Sequence, residues 1–470
     1  MYLAYGSSAG EAEGRAGAMF ERKIYQRLLQ WKRESAGTTA LLIEGARRVG
    51  KSTIALEFAK HEYASYVLVD FTQASDEFKR TFLDTRTDLD SFFLYLSAAY
   101  GVTLKRRSSL IIFDEVQLFP QAREFIKHLV ADGRYDYLET GSLVSIKANV
   151  KDILIPSEEE ALNMGPMDFE EFLWAMGEEP LAQLIRSSFE QLTPLPDALH
   201  RKAMRLWNEY LLVGGMPQAV AAYAQGRDMA AADRVKRLVL RLYREDIEKY
   251  GGLAAKRLKA VFDAIPGQLS KHEKRLVYAQ VEENSRARDF QTAFSWFKEA
   301  GTVNLCTLSS DPSLGLALSA DDGMVKCYLA DTGLLSTMAF SASGSTLPEV
   351  YRQVLLGDAG VNEGMLVENA VAQQLTSAGH ELYFYSKSSG ERADRMEIDF
   401  LIVRPYADAN MKPRVCPIEV KSGTRYSTVS LDKFKAKFGK RVGVEYVLHP
   451  RQLSRDGSRA RLPLYMAHLL

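Results

Sequence analysis

Cysteine is scarce in this chain of 470 residues, with only Cys306, Cys327 and Cys416. Three scattered cysteines are too few for a disulfide framework or a zinc motif. They read as reduced, buried residues of an intracellular protein. Long apolar runs are missing too, and none approaches the roughly 18 residues that crossing a bilayer requires. Net charge is absent: 60 Lys and Arg balance 60 Asp and Glu. That balance argues against a surface that grips nucleic acid indiscriminately, although it leaves room for a local basic site. The 7 histidines are dispersed without metal-ligand spacing. Internal repeats are absent, and the only low-complexity tract is the opening 19 residues. This opening has neither the basic start nor the apolar core of a signal peptide. It reads as a disordered leader, with Met19 an equal candidate for the start. These absences point to a soluble, cytoplasmic protein with no membrane partner.

What is present is ordinary globular composition, 46% hydrophobic and 26% charged. At roughly 150 residues per domain the length suggests about three domains. Order is expected from Phe20, with a helix through Trp31. The runs TTALLIEG (38–45), YVLVDF (66–71) and SLIIFDE (109–115) are strand-sized and apolar, with helical stretches between them. Such alternation predicts a parallel α/β sheet covered on both faces. The pattern fades after PMDFEEFLWAMG (166–177), which closes an expected first domain over 20–185. A helical connector follows over 186–255, broken at Gly214-Gly215-Met216-Pro217. Three helices and a hairpin over 256–340 outline a winged helix. The tail, 345–470, returns to α/β.

The first chemical motif is Gly45-Ala46-Arg47-Arg48-Val49-Gly50-Lys51-Ser52, which fits G-x-x-x-x-G-K-[ST], with Thr53 beside it. At average usage its four fixed positions co-occur in a chain this long on the order of 1–2% of the time. Glycines let the loop curl so that successive N–H groups face an anion, and the following helix adds its positive end. Lys51 would reach the β- and γ-phosphates of ATP, and Ser52 would ligate Mg²⁺. SLIIFDE then sets Asp114 and Glu115 at the end of an apolar strand, where open α/β sheets bind ligands. Asp114 suits the Walker B role of holding Mg²⁺ through water, and Glu115 that of the base for the attacking water. YLETGS (137–142) looks like the next strand, bringing Thr140 and Ser142 towards the γ-phosphate or that water. Ser and Thr after a strand are otherwise simple turn residues.

GARRVGKS, LIIFDEVQ, TGS and PMDFEEFL together resemble prokaryotic AAA-type ATPases that carry a C-terminal domain of unknown function similar to PD-(D/E)XK nucleases. The GGMP and KCYLADTGLL segments also fit, so the resemblance runs from about Phe20 to the end. It implies a P-loop NTPase sheet, then a helical and winged-helix region, then a restriction-endonuclease-like α/β domain. Many relatives carry an arginine shortly before the segment matching PMDFEEFL, a candidate arginine finger. Leu143 to Pro166 contains no arginine here, which leaves an oligomer open and the finger unlocated.

The nuclease resemblance implies a cluster of carboxylates for Mg²⁺ with a lysine beside it. Glu368 on a helix, Asp399 in EIDFLIV, and Glu419 and Lys421 in PIEVKS supply these types in order. Strand alternation puts Glu419 and Lys421 on one face. An E-x-K pair in a strand is, by itself, more often a salt bridge. Between Arg395 and Arg441 there are 11 basic and 5 acidic residues, which suits a polyanion such as DNA, or simply a solvated lysine face. In the expected winged helix, Arg286, Arg288 and Lys298 are available for phosphates, while Phe290, Phe294 and Phe297 repeat on one face as core.

Two motifs are set aside. Gly6-Ser7-Ser8-Ala9-Gly10 has the hydrolase-elbow pattern without a preceding strand. Asp331-Thr332-Gly333 reads as a turn after a wing strand. The expectation is therefore an ATPase whose nucleotide state repositions DNA-binding domains. An ATP-gated Mg²⁺ nuclease and a slow switch acting on a protein partner are the alternatives.

Overall fold

The computed structural model describes residues 20–142, 157–271, 274–283, 285–312, 315–342, 345–346, 348–356, 363–387, 395–404 and 414–470. The chain divides into two compact units, Met1–Gly165 and Pro166–Leu470, so the first unit closes some twenty residues earlier than the fading strand pattern suggests. The leader and most of the segment from Leu143 to Pro166, where an arginine finger was expected, lie outside the described residues. Among the described residues no helix is long and apolar enough to cross a membrane.

The first unit is built on strands β1 (Ala40–Glu44), β2 (Ser65–Asp70), β3 (Ser109–Asp114), β4 (Asp136–Gly141) and β5 (Glu159–Asn163). All pair in parallel, in the order β2-β3-β4-β1-β5. Its helices are α1 (Ile24–Ser35), α2 (Lys51–Glu62), α3 (Asp76–Thr85), α4 (Leu89–Tyr100) and α5 (Pro120–Asp132). Residues of β3 are buried throughout, as a strand covered on both faces must be. Ile111 and Phe113 pack with Phe78, Phe82, Phe92 and Phe125 from α3–α5. The polar text of β5 hid it from a hydrophobicity reading. Its Glu159 lies against β1 because Arg123 of α5 reaches it with two hydrogen bonds, at 2.6 and 3.0 Å.

The second unit opens with helices α6 (Phe169–Ala175), α7 (Glu179–Gln191), α8 (Asp197–Val213), α9 (Pro217–Ala224), α10 (Met229–Tyr250) and α11 (Ala255–Leu269). Beyond them, β6 (Val303–Ser309) and β7 (Ala320–Leu329) form the expected hairpin. The hairpin is not the wing of a separate domain, however. β6 pairs in parallel with β10 (Leu382–Lys387), so the hairpin adds the last two strands, with β7 at the edge, to an eight-stranded sheet in the order β14-β15-β13-β12-β11-β10-β6-β7. The other strands are β11 (Met396–Arg404), β12 (Arg414–Val420), β13 (Glu445–His449), β14 (Ser454–Asp456) and β15 (Arg459–Pro463), and β8 (Ser341–Ala342) and β9 (Ser345–Thr346) make a small ribbon. The second of the three helices expected over 256–340 shrinks to α12 (Tyr278–Val281). Its upstream residues run along β7 instead, where Arg275 bridges Lys326 and Leu276 N donates to Val325 O at 2.8 Å. Phe290, Phe294 and Phe297 are buried, as their spacing requires, around α13 (Gln291–Ala300). The three cysteines are buried and free.

Asp331, read from sequence as a turn residue, is fully buried between β7 and helix α14 (Thr332–Phe340). Its carboxylate accepts from Gly215 N at 2.5 Å, Leu334 N at 2.9 Å and Gln373 Nε2 at 3.4 Å. Gly215 lies so close to its neighbours that a Cβ there would meet Met167 O at 2.0 Å. The GGMP break and the DTG step thus lock together. Burial pushes the Asp331 carboxyl up, against donors that favour its charge. Asp331→Ala strands two buried N–H groups, each costing about 1–3 kcal/mol, so a loss of about 3 kcal/mol in the second unit's unfolding free energy is expected. Urea denaturation measures it, and a loss below ~1 kcal/mol would show the contact to be dispensable.

Candidate nucleotide site

The sequence places a glycine at each bend of the phosphate loop, and the backbone uses both ends. Gly45 leaves β1 at φ 148° and Gly50 enters α2 at φ 103°. A Cβ on Gly45 would lie 2.2 Å from Met164 O, so no other residue fits there without moving the segment after β5. Arg47 and Arg48 are exposed, Ala46 and Val49 buried. Lys51 starts α2 with its ammonium turned back on the loop, donating to Gly45 O and Ala46 O, both at 3.0 Å. Ser52 is half-buried and Thr53 exposed.

Strand order completes the site. β4 lies between β1 and β3, with Ile43 opposite Thr140 and Glu44 opposite Gly141. The phosphate loop, the end of β4 and the end of β3 therefore converge. Ser52 Oγ donates to Asp114 Oδ1 at 2.7 Å, and Thr140 Oγ1 donates to the same oxygen. Glu115 follows in the left-handed region at φ 53°. Its N–H donates to Thr140 Oγ1 at 3.2 Å. Its carboxylate is half-exposed and accepts from Gln117 Nε2. Ser142 is half-buried just past β4. A hydroxyl and a carboxylate sharing one hydrogen bond are a hard-oxygen donor pair, which suits Mg²⁺. Gln117, holding Glu115, was not singled out from sequence, although it sits within LIIFDEVQ.

One buried acid near the site has no evident part in its chemistry. Glu139, between Leu138 and Thr140 on β4, is fully buried. Burial first, then the neighbouring Glu159, pushes its carboxyl well above the ordinary value of 4.5. A raised folded value contributes stability that is full below the ordinary one and is lost as pH climbs towards the raised one. Glu139→Gln removes that loss. It should gain on the native protein as pH rises above 4.5, until the raised value is reached, read from urea midpoints at pH 5, 6, 7 and 8. A gap that does not change with pH would mean an ordinary carboxyl.

The second unit gathers the four nuclease candidates into one electrostatic group. Glu368 lies on helix α16 (Glu363–Ser377), Asp399 on β11, Glu419 on β12 and Lys421 one residue beyond it; α15 (Pro348–Leu356) precedes them. Lys421 Nζ is 2.9 Å from Glu419 Oε2, so the two do share a face. Asp399 Oδ2 accepts from Val420 N at 2.8 Å. Burial disfavours the Lys421 charge, but Glu419, Asp399 and Glu368 together hold its ammonium above the usual value. Lys274 and Lys326, which sequence reasoning missed, also enter. Lys274 Nζ donates to Glu368 Oε2, Lys326 Nζ sits 3.6 Å from Glu368 Oε1 and 2.9 Å from Glu397, and Tyr328 OH donates to Glu368. Burial opposes the Glu368 charge, yet the two lysines bring its carboxyl down to about 2. Burial and Glu368 push Asp399 up to about 6. Among the described residues no group of three or more His, Cys, Asp or Glu is arranged to hold a metal ion. Arg286, Arg288 and Lys298 are exposed, with Asp289 3.9 Å from Arg288 and Glu381 3.5 Å from Lys298.

Loop, sheet and acidic strand end are those of a P-loop ATPase domain. Residues 37–173 match a family model described as an AAA domain. Residues 204–344 and 363–465 match two domains of unknown function, DUF8612 and DUF4143. Among solved structures the chain is similar to the Walker-type ATPase of Pyrococcus abyssi, at 14% identity and a TM-score of 0.40, covering 68% of this chain and 96% of that one. It is also similar to Cdc6p from Pyrobaculum aerophilum, at 10% identity and a TM-score of 0.26, covering 71% and 93%. No curated protein matches.

Proposed function

We propose that the first unit is a Mg²⁺-dependent ATPase, and that its nucleotide state governs DNA binding by the second. The observation that carries the ATPase reading is the shared acceptor: Ser52 and Thr140 both donate to Asp114 at the mouth of the phosphate loop. Lys51 exchanges the loop carbonyls for β- and γ-phosphate oxygens, while Gly45 to Thr53 cradle the phosphates. Ser52 and Asp114 hold Mg²⁺, which neutralises charge on the phosphate oxygens when bound. Glu115, steadied by Gln117, orients the attacking water and takes its proton. Thr140 fixes the Glu115 backbone, and Ser142, the residue after β4, touches the γ-phosphate or the attacking water. Lys51→Ala is expected to lower affinity for a fluorescent ATP analogue at least tenfold, and Glu115→Gln to keep affinity while turnover falls about 100-fold. Normal hydrolysis by Glu115→Gln would overturn the base assignment.

For the second unit, binding is favoured over cleavage. Lys274 and Lys326 engage the carboxylate of Glu368 that a nuclease would use for metal, and the basic stretch 395–441 suits a phosphate backbone. Duplex DNA should be retained at low salt in a manner that differs between ATP and ADP, without cleavage in Mg²⁺. Cleavage lost in Asp399→Ala and Lys421→Ala would establish the gated nuclease instead. No retention in either nucleotide would favour the switch acting on a protein partner.

A further inference from the structure

Arg22 precedes α1 and carries no motif, yet its guanidinium is buried, with the residue 7% exposed. One arm donates to Val49 O at 2.9 Å, another to Gly165 O at 2.8 Å. Val49 is the last residue of the phosphate loop before Gly50-Lys51. Gly165 is the last residue of the first unit, joined directly to Pro166, where the second begins. The same exit segment meets the other end of the loop. Met164 N donates to Glu44 O at 2.8 Å, and Met164 O stands where a Cβ on Gly45 would be. The loop is therefore held at both ends by the two residues through which the chain leaves the unit.

Satisfying one buried and one half-buried carbonyl is an ordinary task for an arginine, and many buried residues could do it. What sets this one apart is which carbonyls it joins. A guanidinium is a rigid planar fork, so a shift of Val49 O must be met by a pivot of the fork, which strains its bond to Gly165 O, or by a shift of Gly165. Phosphate binding acts on that loop directly, since Lys51 must leave the carbonyls of Gly45 and Ala46 to reach an anion.

We propose that Arg22 is a positioning residue that ties the phosphate loop to the exit segment, so that nucleotide at the loop alters the Met164–Pro166 link to the second unit. This rests on the reading of Gly45–Ser52 as a nucleotide site. The experiment uses the full chain as wild type, Arg22→Ala and Arg22→Lys. Affinity for a fluorescent ATP analogue, KM and kcat for ATP, and hydrogen exchange of peptides covering 160–170 with and without MgATP are measured. Wild type is expected to change exchange in those peptides when nucleotide binds. Arg22→Ala is expected to raise KM about tenfold with kcat within about twofold, and to lose the nucleotide-dependent change. Arg22→Lys, which cannot span both carbonyls with one planar fork, should recover KM partly and the exchange change little. The proposal is overturned if Arg22→Ala retains the full exchange response or an unaltered KM. Should Arg22→Ala fail to fold, a full response in Arg22→Lys overturns it and a lost response supports it. A wild type that binds no nucleotide sinks the site reading itself, whereas one that binds without any exchange change sinks only the coupling.

Discussion

The carboxylate of Asp114 joins three chain segments that are far apart in sequence. It ends β3, receives Ser52 from the first turn of α2, and receives Thr140 from β4. This is possible only because β4 is inserted between β1 and β3. Were β1 and β3 neighbours, no strand end would stand between the phosphate loop and the acidic pair, and Glu115 would lose the hydroxyl that holds its backbone N–H. Parallel pairing adds a second condition. It sends every strand's C-terminal end to one edge, where loops are free to carry polar groups while apolar strand bodies such as β3 stay buried. Sheet order is thus the constraint from which the local chemistry follows.

The second unit rests on a comparable convergence with a different purpose. Asp331 bonds to a backbone N–H of the GGMP break and to one in the first turn of α14, and Lys236 of α10 donates to Leu212 O near the same break. Burial lowers the Lys236 ammonium to about 8, against the pull of Asp233 and Asp331. Charges held this deeply are tolerable when each meets donors or opposite charge. The consequence is a helical body fixed onto the end of β7, which also carries Lys326 and Tyr328 into the group around Glu368.

Legibility in sequence followed the range of the interactions. The phosphate loop and LIIFDE were readable because their chemistry is encoded in consecutive residues, and the strands beside them because burial on both faces writes an unbroken apolar run. β5 was not, since EEALN is acidic and becomes a strand only with Arg123, 36 residues away, holding Glu159. The hairpin β6–β7 was found, but its company was not, because alternation says nothing about which distant strand will pair with β6. Asp331 was discounted for the same reason: a short D-T-G looks like any turn until tertiary burial is known. Among the nuclease-like residues, the pairing of Glu419 with Lys421 was legible from strand periodicity, whereas Lys274 and Lys326 entered from a segment assigned to another domain.

The eight-stranded sheet also bears on how this chain can be divided. The two unassigned family matches cover residues 204–344 and 363–465, which invites treating them as separable modules. β6 and β7 belong to the first match and β10 to the second, yet β6 and β10 are ladder partners. Cutting between the matches would leave each fragment with a naked strand edge, the feature that folded proteins cover to avoid pairing with copies of themselves. The two matched regions therefore complete one sheet between them, and neither can be cut out without exposing a strand of the other.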